Sequence, residues 1–149
     1  MAGAEERGAA LARTADRIAS CVRCLRPAGA WTASAVRCPP PANRPTPAER
    51  DACLPYLTAE LDALSDVSVI VTLGAFAWHA AARQAGLRPR PPFRHAAEAR
   101  RPDGRVQLAC YHPSRRNTAT GLLTDAMLAA VFRRARELAG AGAGPGFSA

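Results

Sequence analysis

Lysine is absent from this 149-residue chain: all 20 of its basic residues are arginine. Against 12 Asp and Glu they leave a net charge of +8. GC-rich coding produces such a bias as readily as function does, so the absence of lysine identifies no partner. The charge itself favours a polyanion, because guanidinium groups pair with phosphates and release condensed counterions. A basic soluble enzyme without such a partner is the plainer alternative. Long apolar runs are missing as well. The longest, residues 67–77, is broken by Ser68 and Thr72 and is too short to span a bilayer. No continuous apolar segment precedes Cys21, so no secretory leader is expected and the chain is read as cytoplasmic. Disorder is excluded by a hydrophobic content of 48%. The length suits one domain, and at this size a core forms without disulfide staples.

A second C-x-x-C pair, the usual mark of a zinc ribbon, is also lacking. Cys21 and Cys24 form the one pair, Cys38 and Cys53 follow singly, and Cys110 stands far off. One pair plus two isolated thiols suits a metal centre or cluster whose ligands come from separate elements. Zinc, iron–sulfur, buried thiols acting as small hydrophobes and a redox pair all remain open on spacing alone.

Periodicity orders the rest. A helix is expected over residues 5–20, ending at the C-x-x-C, and a short strand over 31–37 (W-T-A-S-A-V-R). The proline-rich stretch 38–47 cannot join a ladder and reads as an ordered loop. Thr46-Pro47-Ala48-Glu49 is a capping box, opening a helix whose Leu54, Leu57, Leu61 and Leu64 share one face and which stops near Ser65. Residues 67–73 (V-S-V-I-V-T-L) form a β-branched run typical of a strand buried on both faces. Gly74 turns the chain into an alanine-rich helix over 75–85, closed by Gly86. A loop over 87–103 leads to a third strand, 106–111, and a last helix spans 124–139. Residues 140–149 are expected to be a disordered tail, leaving a single domain over 1–139. Alternating strands and helices predict an α/β fold, a three-layer α/β/α arrangement with a short parallel sheet. Ligands on such folds bind beyond the carboxyl ends of the strands, where Gly74 and the segment 112–121 lie.

Four segments together resemble the iron–sulfur uracil-DNA glycosylases, in their family 5 (type B) branch. They are A-V-R-C-P-P-P-A-N-R-P-T-P-A-E-R-D-A-C (35–53), V-I-V-T-L-G-A-F-A-W (69–78), R-P-P-F-R-H (90–95) and C-Y-H-P-S-R-R-N-T (110–118). The resemblance implies removal of uracil, or another deaminated base, from DNA by hydrolysis of the N-glycosidic bond. It implies a 4Fe-4S cluster on Cys21, Cys24, Cys38 and Cys53, with zinc as the alternative. His112 is then the candidate catalytic donor to the departing base, and Asn43 the candidate reader of the base edge, with an Asx-turn residue as its plainer role. Ser114, Arg115, Arg116 and Asn117 are the candidate DNA contacts. Arg115 and Arg116 also read as a solvated face, and they depart from the glutamine-like residues of the family. His95 receives no role, and Cys110 is expected to be buried and inert. One gap stands out: only six residues, 25–30, occupy the place of the family's first core strand and water-positioning glycine-rich motif. Weak or absent excision follows from that gap, and the alternative is a non-catalytic iron–sulfur DNA-binding module.

Overall fold

The computed structural model describes residues 32–142. The helix expected over 5–20, with Cys21 and Cys24, lies outside the described residues. The chain divides into two compact units, Met1–Ser65 and Asp66–Ala149.

Among the described residues of the first unit a 3-10 turn, Pro41–Asn43, precedes helix α1, Pro47–Ala63. The capping box forms as expected. The Thr46 hydroxyl accepts the Glu49 N–H at 3.2 Å, and the Glu49 carboxylate accepts the Thr46 N–H at 2.6 Å. Pro47 occupies the first helical position, where its missing donor costs nothing. The leucine stripe faces inward: Leu57 and Leu61 are buried, Leu54 and Leu64 half-buried. The strand expected over 31–37 does not form, because residues 32–37 are irregular. Its small residues Thr32, Ala33 and Ser34 are exposed, so β tolerance brings no burial with it. The end of the segment is tied to a helix instead. The Arg37 guanidinium lies 2.5 Å from the Glu60 carboxylate and 5.9 Å from the centre of the Tyr56 ring, both on α1.

The second unit runs β1 (Val69–Leu73), α2 (Ala75–Gln84), β2 (Glu98–Arg100), β3 (Val106–Cys110), α3 (Arg115–Ala119) and α4 (Asp125–Gly142). Its three strands are ordered β1-β3-β2. β1 and β3 are parallel, with Val69 opposite Val106 and Leu73 opposite Cys110. β2 runs antiparallel to β3, so the sheet is mixed and not purely parallel. The expected loop over 87–103 therefore contains a strand. Arg101-Pro102-Asp103-Gly104 makes the hairpin turn, with Gly104 at φ 84° and the Arg101 N–H bonded to the Arg105 carbonyl at 2.9 Å.

Helices cover both faces, as the three-layer expectation requires. Side chains alternate along β3. Leu108 and Cys110 form one core with Leu123 and Val131, flanked by Val69, Val71, Met127 and Leu128. Gln107 faces the other way and donates to the Trp78 carbonyl of α2 at 2.9 Å. The α2 helix ends in a Schellman motif: Gly86, at φ 67°, donates to Arg83 and Leu87 donates to Ala82, each at 3.0 Å. Arg101 seals the same end. Its buried guanidinium bonds the Ala81 carbonyl at 3.1 Å, Gln84, and Asp103 at 3.2 Å. Burial lowers its pKa, and Asp103 opposes that shift. One arginine is thus committed to the fold and unavailable to a polyanion. On the opposite face α4 is pinned to β2 by Arg134, whose hydrogen bond at 2.7 Å holds the Glu98 carboxyl below its usual range. The resulting stability is present above the unfolded carboxylate pKa and fades as pH falls through the lowered one, and it is small for so exposed a pair. The last helix continues to Gly142, past the expected boundary at 139.

Candidate active site

Parallel pairing of β1 with β3 brings two carboxyl ends side by side, and the loops that leave them interlock. The Gly74 N–H donates to the Cys110 carbonyl at 2.7 Å. Gly74 has φ 92° and ψ 163°, a region open essentially to glycine alone. The His112 side chain lies directly over it: a Cβ built on Gly74 would stand 3.1 Å from the His112 Cβ and 3.5 Å from its Cδ2. Gly74→Ala is therefore expected to cost about 1–3 kcal/mol in backbone strain and to push the His112 ring aside. Thermal denaturation checks the first effect and the His112 ring resonances the second.

The His112 backbone is fixed from its other side. Its carbonyl accepts the Ser114 N–H at 2.8 Å and the Asn117 side-chain amide at 2.9 Å. The Ser114 hydroxyl caps α3, accepting the Asn117 N–H at 3.2 Å, and the Asn117 carbonyl accepts the Leu123 N–H at 3.1 Å. Ser114 and Asn117 thus build the loop. Helix α3 occupies the middle of the segment 112–121 that lies beyond the strand end. The His112 imidazole itself is exposed and makes no hydrogen bond or ion pair among the described residues. Arg115 and Arg116 are likewise exposed, with no partner for either guanidinium among the described residues.

Phe93 and His95 flank the strand end as well. The Tyr111 ring lies 5.9 Å from Phe93 and 5.0 Å from His95, and the His95 Nδ1 accepts the Tyr111 N–H at 3.2 Å. His95 is the residue that sequence reasoning left without a role. Asp103 sits at the other end of β3, engaged by Arg101 and Arg105, and does not join His112. Cys110 is buried as expected, and burial pushes its thiol pKa up.

The thiols of the first unit are placed by Arg37. Its N–H donates to the Cys53 Sγ at 3.4 Å, which brings Cys53 against the peptide chain entering Cys38. Cys38 is exposed, Cys53 half-buried, and both are free. No group of three or more potential metal ligands occurs among the described residues. Asn43 closes the 3-10 turn next to Ala42, which adopts a left-handed φ of 54°. Asn43 belongs to the first unit and His112 to the second.

The sequence matches the family described as the Uracil DNA glycosylase superfamily over residues 4–136. The chain belongs to that superfamily. Curated uracil-DNA glycosylases named type-5 are among its relatives. That of Mycobacterium tuberculosis is 50% identical over 108 residues, covering 70% of this chain and 40% of the relative. That of Thermus thermophilus is 47% identical over 117 residues, covering 78% of this chain and 53% of the relative. That of Pyrobaculum aerophilum is 41% identical over 119 residues, covering 80% and 49%. The chain thus spans about half the length of the uracil-DNA glycosylases it matches. No helix among the described residues is long and apolar enough to cross a membrane.

Proposed function

We propose that the chain hydrolyses the N-glycosidic bond of uracil in DNA, with His112 donating a hydrogen bond to the departing base. The observation that carries this reading is the exposed, unengaged His112 imidazole, held over Gly74 at the carboxyl ends of two adjacent parallel strands. The target base must first leave the stack, since the scissile bond is shielded there. The C1′–N1 bond then breaks with its electron pair moving into the uracil ring. Water adds its oxygen to C1′ and releases a proton. Negative charge collects on a uracil carbonyl oxygen, and a donor already fixed in place stabilises it without reorganisation. Ser114 and Asn117 hold that donor's backbone, while the Ser114 hydroxyl keeps its own proton for a phosphate oxygen. Arg115 and Arg116 supply charge to the duplex backbone. With residues 25–30 in place of a water-positioning motif, the proposed excision is slow.

The proposed cofactor is a 4Fe-4S cluster on Cys21, Cys24, Cys38 and Cys53. Free thiols on Cys38 and Cys53, and a peptide N–H already directed at one of them, fit such a donor set. When bound, the cluster supplies a covalent staple between the chain entering the 3-10 turn and helix α1. Anaerobically purified protein is expected to be brown and to contain iron and sulfide, with Cys38→Ser and Cys53→Ser each lowering the iron content severalfold. Colourless protein containing zinc replaces the cluster by the alternative metal.

The deciding experiment is a single-turnover assay on uracil-containing DNA, with abasic sites revealed by alkali. Strand breaks at uracil and none at thymine support the reading. Iron-loaded protein that binds DNA in a salt-sensitive manner yet leaves uracil in place overturns it, in favour of a non-catalytic iron–sulfur DNA-binding module.

A further inference from the structure

The imidazole of His95 occupies a place in the sheet that the main chain has vacated. Near the open end of the β2–β3 hairpin, the Ala96 N–H donates to the Ala109 carbonyl at 2.9 Å and the Ala109 N–H to the Ala97 carbonyl at 2.8 Å. Two residues of one chain thus face a single residue of the other, as in a β-bulge, and Ala96 takes a left-handed φ of 60° to allow it. The next donor on that edge of β3 is the Tyr111 N–H. Of the carbonyls before the bulge, that of Arg94 is taken by the Ala97 N–H at 3.1 Å. A side chain completes the ladder instead, and the His95 Nδ1 accepts the Tyr111 N–H at 3.2 Å.

The peptide so held is the one from which the His112 loop departs. Its carbonyl, on Cys110, accepts the Gly74 N–H at 2.7 Å, and its N–H, on Tyr111, donates to His95. The peptide joining Cys110 to Tyr111 is therefore fixed by Gly74 on one side and by an imidazole on the other, immediately before the proposed donor. We propose that His95 is a positioning residue for His112. The ring nitrogen facing Tyr111 thus serves as an acceptor, Nδ1, in place of a main-chain carbonyl. The left-handed Ala96 and the half-buried rings of Phe93 and Tyr111 bring that nitrogen to its partner.

The role in excision rests on the function proposed above, whereas the structural role does not, and two substitutions separate them. His95→Phe keeps a ring against Tyr111 and removes the acceptor; His95→Asn keeps an acceptor near the Nδ1 position and removes the ring. In the ¹⁵N-labelled 149-residue chain, His95→Phe is expected to speed Tyr111 amide exchange about tenfold, with Leu108 and Ala109 unchanged. It should also shift the His112 ring signals and slow single-turnover excision about tenfold at unchanged DNA affinity. His95→Asn is expected to recover most of each loss. A Tyr111 amide that stays protected in His95→Phe overturns the proposal. So do equal defects in the two variants, which would mark a ring-packing role. If the unsubstituted chain excises no uracil, the proposed function fails, and amide exchange and His112 ring signals alone judge His95.

Discussion

Replacing His112 with alanine is expected to slow single-turnover uracil excision by about 10²–10³-fold, equivalent to roughly 2.7–4 kcal/mol of lost transition-state stabilisation. DNA affinity should change little, because the imidazole has no partner among the described residues and phosphate contacts are assigned to other side chains. The fold should also survive. What holds the loop at this residue is its carbonyl, bonded by the Ser114 N–H and the Asn117 amide, and both bonds persist in alanine. The His112 atom nearest to the space above Gly74 is its Cβ, which alanine retains. The effect thus belongs to the removed ring. His112→Asn, which offers a shorter amide donor, is expected to fall between the two. Excision by His112→Ala at the unsubstituted rate would remove His112 from the chemistry and leave the donor to be found elsewhere.

What the sequence disclosed depended on how local each signal is. The capping box at Thr46 and the Gly86 terminus of α2 are written within a few consecutive residues, and both form. The β-branched run forms a strand too, but the shorter Val69–Leu73, half-buried at the edge of the sheet instead of buried on both faces. The strand expected over 31–37 relied on β tolerance alone, without a partner to pair with or a face to bury. β2 escaped notice for the opposite reason. Glu98-Ala99-Arg100 is too short and too polar to show a period, although the Pro-Asp-Gly turn that follows it marks a hairpin. The same distinction holds at the site. His112 is singled out by the resemblance because the matching Tyr-His-Pro-Ser run is contiguous and directly follows a strand. Its seat on Gly74 was not legible, since that contact exists only through the parallel register that sets Leu73 beside Cys110. His95 was least legible of all: its bond to Tyr111 depends on a left-handed alanine, which no propensity forecasts. Asn117 and Ser114 were read as DNA contacts from the same contiguous pattern, and the structure gives both a first task inside the loop.

The largest loss of stability is expected from Trp78→Ala. Trp78 is fully buried, 0% exposed, and it is the largest such side chain in the molecule's described part. Truncation leaves a cavity between α2 and the sheet and should cost about 3–5 kcal/mol, a large share of the roughly 5–15 kcal/mol that holds a domain folded. The melting temperature should fall by on the order of 10 °C. A second effect reaches the site. The indole N–H donates to the Pro91 carbonyl at 2.9 Å and so anchors the chain that leads to Phe93 and His95 along α2. Trp78→Phe isolates this part, since it keeps most of the apolar volume and leaves the Pro91 carbonyl unpaired. Its cost should be about 1–3 kcal/mol, with Tyr111 amide exchange rising as the His95 segment loosens. The order expected in thermal denaturation is unsubstituted, then Trp78→Phe, then Trp78→Ala. Trp78→Phe as stable as the unsubstituted chain, with Tyr111 equally protected, would show that ring packing alone holds the segment. Trp78→Ala melting within about 2 °C of the unsubstituted chain would mean that α2 and the sheet close over the cavity, which interiors packed at crystal-like density resist.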